Sequence, residues 1–477
     1  MSTTTNESAR QRIESLLDDN SFVEIGALVT ARSTDFNLSG KNTPSDGVIT
    51  GYGVINGSLV YVYSQDASVM NGTVGEMHSR KISGLYDMAM KMGAPVIGLI
   101  DCAGIRLQES TDALNAFSEL YYRQSMASGV IPQITAVFGK CGGGLGILTQ
   151  LSDFTFMEAG NGKLFVNSPN AIEGNYSDKC DTSSAKFQSE ESGNADVTAD
   201  EPELIEKIRE LISILPANNE DNMAYEECTD DLNRISENIT GCSGDTSYAF
   251  REISDNNFFY ELKPYYAQEM VTGFIKLNGM TVGAIANRSE ILDDDMNQAE
   301  KFETVLTVNG CEKAADFVNF CDAFSIPVLT LTNATGFKAC MCQEKKIAKA
   351  AARLTYAFAQ ATVPKVNVVT EKAYGSAYSV MNSKGLGADI VYAWEDAEIG
   401  MMDAEAAAKI LCNDSKGDIN KTAEEYRKLQ LNADSAARRG YVDTMIKPED
   451  TRKYVIGAFE MLFTKREDSP AKKHGTV

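Results

Sequence analysis

The chain offers few side chains for nucleophilic or general acid–base work. It has two histidines, His78 and His474, the second in the Lys-rich tail Ala471-Lys-Lys-His-Gly-Thr-Val477. That count excludes a His-rich metal centre and leaves only His78 for any Ser-His-Asp triad. Ten cysteines are scattered without a C-x-x-C pair. Only Cys340-Met341-Cys342 is close-spaced, and no metal site is expected there. What the sequence does supply is glycine turns after apolar strands. A strand that ends in such a turn and opens a helix aims backbone N–H groups at one point. Two such turns together can hold one oxyanion, such as the enolate of a thioester. The pairs are Gly104-Ile105 with Gly143-Gly144 in the first half, and the segment Gly336 to Met341 with Gly375-Ser376 in the second. Gly142 and Ala377 flank the later turn of each half. Chemistry at such a site rests on main-chain amides rather than imidazole.

The elements that must position these turns occur twice. Ala94-Pro-Val-Ile-Gly-Leu-Ile-Asp101 leads into the first Gly turn, and Ile326-Pro-Val-Leu-Thr-Leu-Thr-Asn333 into its counterpart. Pro95 and Pro327 stand at the same separation as Pro132 and Pro364, and that offset lays Cys141-Gly-Gly-Gly-Leu145 on Ala373-Tyr-Gly-Ser-Ala377. Upstream, Gly53 to Tyr63 alternates around Asn56-Gly57, a hairpin signal, and resembles Gly273 to Gly283. Residues 78–92 have helical spacing that ends near Gly93. Short β-branched strands alternating with helices predict an α/β fold with a covered sheet in each of two homologous domains. The junction is expected within 215–245, residues 176–202 are expected to be a mobile excursion, and 465–477 a solvated tail.

Composition agrees with a folded, soluble protein: 43% hydrophobic and 23% charged residues exclude overall disorder. A net charge of −23 and the lack of a basic patch argue against nucleic-acid binding. Neither a membrane-length apolar run nor a signal-peptide pattern is present, so a cytoplasmic location with reduced thiols is expected.

Specific stretches carry a family resemblance. They include Gly72-Thr-Val-Gly-Glu-Met-His-Ser-Arg-Lys-Ile82, Ser128-Gly-Val-Ile-Pro-Gln133, Phe320-Cys-Asp-Ala-Phe-Ser-Ile-Pro-Val328 and Tyr356-Ala-Phe-Ala-Gln-Ala-Thr-Val-Pro-Lys365. Over residues 8–465 the chain resembles the carboxyltransferase subunits of biotin-dependent acyl-CoA carboxylases and decarboxylases. Propionyl-CoA carboxylase β, the methylmalonyl-CoA decarboxylase α subunit and the transcarboxylase large subunit belong to this family. The resemblance implies tandem crotonase-like (ClpP/crotonase) ββα-superhelix domains, 1–225 on the acyl-CoA side and 226–477 on the biotin side. It implies a hexamer, with sites formed between the N-domain of one subunit and the C-domain of another. Carboxylate then moves between biotin N1 and the α-carbon of a short-chain acyl-CoA of the propionyl or methylmalonyl type. Biotin arrives on a biotin carboxyl carrier protein, and a biotin carboxylase or a membrane decarboxylase subunit is the further partner. Carried across by position, the acyl-CoA oxyanion hole is Ile105 with Gly143 and Gly144, and the biotin hole is Cys340 and Met341 with Gly375 and Ser376. Gly104, Gly142, Gly336 and Ala377 line these sites, and no metal is implied.

The chain departs from the family pattern at several points. Where the family has S-G-G-A-R-I-Q-E, this chain has Cys102-Ala-Gly-Ile-Arg-Leu-Gln-Glu109, and Ile105 in place of Ala is expected to narrow the acyl pocket. The family's D-V-P-G-F-L-P-G is here Asn333-Ala-Thr-Gly-Phe-Lys-Ala-Cys340, and its M-G-A-x-G-A is Met402-Asp-Ala-Glu-Ala-Ala407. Two other readings follow. A crotonase-type hydratase or isomerase needs acid–base carboxylates at the oxyanion site, for which Glu109 is the candidate base. A CoA-binding assembly subunit with a degenerate biotin half would bind thioester without transferring carboxylate. Ala89-Met-Lys-Met92 spells the surroundings of a biotinylated lysine, but Lys91 is expected in a helix rather than at a hairpin tip.

Overall fold

A computed structural model describes residues 8–32, 40–173, 175, 180–221, 227–293, 295–412 and 418–468. The chain divides into two compact units, Met1–Ala224 and Tyr225–Val477.

In the first unit, helix α1 (Ala9–Leu16) starts at a capping box in which Ser8 and Gln11 bond each other's backbone N–H. Strands β1 (Val23–Ile25), β2 (Val48–Ile55) and β3 (Ser58–Gln65) pair antiparallel. Asn56 and Gly57 join β2 to β3 with φ of 49° and 82°, the positive values a two-residue hairpin of this twist requires. Helix α2 (Glu76–Met92) crosses to β4 (Val96–Cys102) and ends at Gly93, which takes φ 60°. Lys91 lies in its last turn. Helix α3 (Ser110–Ala127), β5 (Gln133–Gly142), α4 (Gly144–Gln150), β6 (Phe154–Glu158), β7 (Lys163–Phe165), β8 (Val197–Ala199) and α5 (Glu201–Ile214) complete the unit. The sheet order is β1-β2-β3-β4-β5-β6-β8 with β7 on the far end of β5, parallel from β3 onward. Helices cover the parallel strands, so Val96-Ile-Gly-Leu-Ile100 is buried throughout, as both-face burial requires.

The second unit repeats this order. Strands β9 (Phe259–Leu262), β10 (Met270–Leu277) and β11 (Met280–Asn287) are antiparallel, the last two again joined by an Asn-Gly turn, Asn278-Gly279. A small hairpin of β12 (Glu290–Leu292) and β13 (Gln298–Lys301) follows, then β14 (Val305–Leu306) and α6 (Val308–Ala323). Next come β15 (Val328–Ala334), β16 (Gly336–Phe337), α7 (Met341–Glu344), α8 (Ile347–Gln360), β17 (Lys365–Tyr374) and α9 (Gly375–Val380). Strands β18 (Ile390–Trp394), β19 (Glu398–Gly400) and β20 (Thr444–Ile446) finish a sheet ordered β9-β10-β11-β15-β17-β18-β20, with β19 on the far end of β17. Even the polar starts of the central strands correspond. Gln133 donates from Nε2 to the Gln124 carbonyl at the end of α3, and Lys365 donates from Nζ to the Phe358 and Ala361 carbonyls at the end of α8.

Both sheets carry the same irregularity ahead of their Gly turns. The β4–β5 ladder runs from Val96↔Gln133 to Ile100↔Val137 and resumes at Cys102↔Cys141. The β15–β17 ladder runs from Val328↔Lys365 to Thr332↔Val369 and resumes at Ala334↔Ala373. Extra residues on the later strand leave backbone N–H groups without a ladder partner, and a polar side chain on the earlier strand supplies one. Asp101 Oδ1 accepts the Lys140 N–H at 3.3 Å, and Asn333 Oδ1 accepts the Lys372 N–H at 3.4 Å. Asp101 fills its bulge so fully that a Cβ on Gly139 would sit 2.1 Å from its Oδ1. Where the second unit has Glu371 instead of that glycine, Asn333 supplies an Nδ2–H to the Glu371 carboxylate at 3.1 Å, a bond an aspartate could not make.

Two expectations need correction. Much of 176–202 is not an excursion: β8 pairs with β6, Ala185 and Ala195 are core residues, and the Asp196 carboxylate accepts the Thr155 N–H at 2.7 Å. Residues 176–179 lie outside the described residues. Lys465 does not project into solvent but docks on the Val363 carbonyl at 3.0 Å and Asp389 at 2.8 Å, while 469–477 lie outside the described residues. Among the described residues, no helix is long and apolar enough to cross a membrane.

The bulge yields a stability prediction. Gly139→Ala forces Asp101 out of its seat and lowers unfolding stability by about 1–3 kcal/mol, the usual range for overpacking. Its urea midpoint should fall accordingly, and an unchanged midpoint would contradict the bulge's tight seating.

Candidate active site

In the first unit the Gly turn after β4 is pinned on one side and open on the other. The Gly104 carbonyl accepts the Val74 N–H at 2.9 Å, and the Arg106 N–H donates to the Val74 carbonyl at 2.8 Å. These two bonds make a parallel bridge between Val74 and Ile105. Because alternate residues bond the same neighbour, the Ile105 N–H faces away from Val74. Gly104 takes φ 121°, and a Cβ there would come no nearer than 4.0 Å to the Gly142 carbonyl, so the two Gly turns lie side by side.

The second turn separates the two glycines that the sequence grouped. Gly143, at φ 63°, donates its N–H to the Phe165 carbonyl at 2.9 Å, so β7 consumes that amide. Gly144 opens α4, where a first-turn N–H has no acceptor within the helix. Its carbonyl accepts the Tyr121 hydroxyl at 2.7 Å, and a Cβ on it would meet that hydroxyl at 2.7 Å and the Phe117 ring at 2.8 Å. Of the pair, Gly144 is the donor available to a ligand.

A buried charge cluster holds the first turn in place. Arg106 is fully buried and donates from Nη1 to Asp46 at 2.6 Å and to Glu109 at 2.7 Å, and from Nη2 to the Thr73 carbonyl at 2.8 Å. The other Glu109 oxygen accepts the Glu76 N–H at 2.6 Å. With both oxygens engaged and the side chain buried, Glu109 has no lone carboxylate face to offer as a base. The hydratase or isomerase reading therefore loses its candidate. Asp46 sits at φ 49°, a left-handed conformation that its bonds to Arg106 and to the His78 N–H at 2.8 Å hold. Burial raises the Asp46 carboxyl above its ordinary value, with Arg106 opposing it.

His78 is structural. It is fully buried, with Nδ1 3.0 Å from the Asp46 carbonyl and Nε2 3.2 Å from Gln65 Nε2. The carbonyl can only accept, so Nδ1 carries the proton and Nε2 accepts from Gln65. Burial first, then the Arg106 charge, hold its pKa down to about 3. Both ring nitrogens are occupied, which closes the triad reading.

The second unit repeats the geometry with one shift from expectation. Val305 pairs with Gly336 and Leu306 with Phe337, and the Lys338 N–H donates to the Leu306 carbonyl at 2.9 Å. Phe337 therefore occupies the register position that Ile105 holds in the first unit, with its N–H turned away from β14. Gly375, at φ 56°, opens α9, and a Cβ there would lie 3.2 Å from the Met401 carbonyl. A cavity of about 500 Å³ is lined by Gly336, Phe337, Lys372, Gly375, Ser376 and Ala377, among others. Cys340 and Met341, placed by sequence in the biotin hole, are not among its lining residues. The Cys340 N–H is taken by the Lys338 carbonyl at 3.2 Å, and Met341 is 83% exposed. The offset that maps Pro95 onto Pro327 also maps Ile105 onto Phe337, which is the signal that would have found it. Tyr374, at the cavity wall, donates its hydroxyl to Glu398, which Arg427 Nε also bonds at 3.2 Å. Burial and that carboxylate push the phenol upward, so it stays a neutral donor.

Two units, each an antiparallel hairpin feeding a parallel sheet with Gly turns that open short helices, define a tandem crotonase-type protein. The carboxyl transferase domain family matches residues 3–477, and the chain belongs to that family. Propionyl-CoA carboxylase beta chain of Roseobacter denitrificans is 40% identical, over 98% of this chain and 93% of its own length. Methylmalonyl-CoA decarboxylase subunit alpha of Propionigenium modestum is 38% identical, over 98% of this chain and 92% of its own. Among solved structures, transcarboxylase 12S, described as a hexamer with hydrolysed methylmalonyl-coenzyme A bound, superposes with a TM-score of 0.91 at 36% identity. It covers 98% of this chain and 92% of that one. The protein is thus an enzyme, a carboxyltransferase of the propionyl-CoA carboxylase, methylmalonyl-CoA decarboxylase and transcarboxylase type.

The neutral, buried His78 sets a pH dependence. Unfolded, its imidazole protonates near the usual pKa of about 6.5, whereas in the fold it stays neutral to about 3. As pH falls below about 6.5, the unfolded chain gains a proton that the folded chain refuses, so stability drops by about 1.4 kcal/mol per pH unit. Urea unfolding at neutral pH and near pH 5 should show wild type losing about 2 kcal/mol more than His78→Gln. Equal losses in the two proteins would rule out a neutral buried imidazole.

Proposed function

We propose that the first unit holds the thioester of a short-chain acyl-CoA of the propionyl or methylmalonyl type, and the second the ureido ring of biotin borne by a partner. Carboxylate passes between biotin N1 and the acyl α-carbon. Removing it from either side leaves an enolate-like oxygen, which needs fixed dipoles aimed at it rather than a nucleophile or a metal ligand. In the first unit the donors are the N–H groups of Ile105 and Gly144, and in the second those of Phe337 and Ser376. The observation that carries this reading is the repetition of one geometry. Val74↔Ile105 and Leu306↔Phe337 are the same bridge, and Gly143 and Gly375 make the same positive-φ turn. The cavity of about 500 Å³ in the second unit fits a bicyclic ureido ring, with glycine walls that admit close approach.

The relatives support the substrate class: their names specify propionyl-CoA and methylmalonyl-CoA, and the transcarboxylase structure holds hydrolysed methylmalonyl-CoA. By the same likeness the protein assembles as a hexamer. It works with a biotin carboxyl carrier protein and with either a biotin carboxylase or a membrane decarboxylase subunit. Ile105, with 37% of its surface exposed beside the donor amide, favours a small acyl group.

Amide deletion tests the assignment. Ser376→Pro removes one proposed donor while keeping a helix-compatible φ, and transfer of labelled carboxylate from methylmalonyl-CoA to biotin should fall about 10²–10³-fold. Acyl-CoA affinity should be unchanged in that variant, whereas Gly144→Ala, which collides with Tyr121 and Phe117, should weaken acyl-CoA binding as well. Full transfer activity in Ser376→Pro would refute the second-unit donor. Acyl-CoA binding without transfer in wild type would favour an assembly subunit instead.

A further inference from the structure

The turn that follows β16 brings two thiols together. Cys340 is extended, at φ −146° and ψ 157°, and immediately precedes α7. Its carbonyl accepts the Gln343 and Glu344 N–H groups at 3.1 and 3.0 Å, which curls the chain so that side chains two residues apart converge. The Cys340 and Cys342 sulfurs lie 2.6 Å apart, Cys342 is exposed and Cys340 half-buried. Of the other cysteines, Cys102, Cys141, Cys242, Cys311 and Cys321 are buried, and Cys102 and Cys141 face each other across β4 and β5. Burial raises the thiol pKa of those five, whereas Cys340 is held below its ordinary value. The Cys342 hydrogen bond contributes most to that, then the Gln343 N–H, with the Lys338 ammonium adding to it. Cys342 is pushed up, as a resolving thiol beside a thiolate must be. Among the described residues no group of three or more His, Cys, Asp or Glu side chains is placed to hold a metal, and two sulfurs fall short of a four-ligand zinc site.

We propose that Cys340 and Cys342 form a reversible dithiol–disulfide centre whose oxidant is a low-molecular-weight disulfide. The Cys340 thiolate attacks one sulfur of that disulfide, breaking its S–S bond and releasing one small thiolate. Cys342, deprotonated to solvent, then attacks the Cys340 sulfur of the mixed disulfide. The Cys340–Cys342 bond forms and the second small thiolate leaves. The protein dithiol loses two electrons and two protons, and the external disulfide becomes two thiols. Reduction by excess small thiol reverses both steps. The centre begins three residues beyond Phe337, which lines the second-unit cavity.

The test uses the intact protein and glutathione disulfide, followed by acid quenching and trypsin. Cleavage after Lys338 and Lys345 releases both cysteines in the single fragment Ala339-Cys-Met-Cys-Gln-Glu-Lys345. In wild type that fragment should lose two hydrogens and regain them with reductant. Cys342→Ser should stop at a stable glutathione adduct on Cys340. Cys340→Ser should react at Cys342 at least about tenfold more slowly than wild type. A wild-type fragment that stays reduced, or that retains glutathione, would overturn the proposal. So would equal reaction rates in Cys340→Ser and wild type.

Discussion

The architecture of both units depends on one constraint: the central parallel ladder breaks register just before its Gly turns, and a side chain of the earlier strand must take up an N–H that the break leaves unpaired. Asp101 does this in the first unit and Asn333 in the second, each accepting an N–H from the neighbouring strand. Past the break the ladder resumes, at Cys102↔Cys141 and at Ala334↔Ala373, so the two Gly turns of each unit emerge side by side. A regular ladder would have continued the strands and buried their amides in pairing. The bulge converts sheet ends into donors.

The two units support their turns differently. In the first, a dry ionic cluster of Arg106, Asp46 and Glu109 clamps the loop behind Ile105, and a neutral His78 closes the far side. Removing one partner from such a cluster leaves a buried charge uncompensated, at a cost of about 3–5 kcal/mol, so its parts stand or fall together. In the second, support comes from amide and carboxylate hydrogen bonds around Asn333, Asn287 and Glu371, and from the Tyr374–Glu398–Arg427 chain at the cavity wall. The first turn is therefore backed by buried charge, while the second is followed by a dithiol of half-buried Cys340 and exposed Cys342.

The duplication was legible in the sequence because proline, glycine and apolar runs recur at one offset, and those residues are constrained by backbone geometry rather than by chemistry. The hairpins at Asn56-Gly57 and Asn278-Gly279 were readable for the same reason. Donor assignment was less legible, because which amide is free depends on tertiary pairing. Gly143 loses its N–H to Phe165, a residue on a strand that only the fold brings alongside. For the second half, the sequence points to Cys340-Met341, whereas the donor proposed from the fold is Phe337, because its bridge to Leu306 matches that of Ile105 to Val74. The segment before β8 looked mobile because its polar residues outnumber its apolar ones, yet Ala185 and Ala195 suffice to dock it.

In the proposed function, backbone amides of the duplicated turns receive the substrate oxygens. A crystal structure of this protein with a bound acyl-CoA tests this most directly. The thioester oxygen should lie within about 2.7–3.1 Å of both Ile105 N and Gly144 N, with no side-chain donor between them. A thioester oxygen bound to a side chain, or to the Gly143 side of the turn with the Gly144 amide facing solvent, would contradict it.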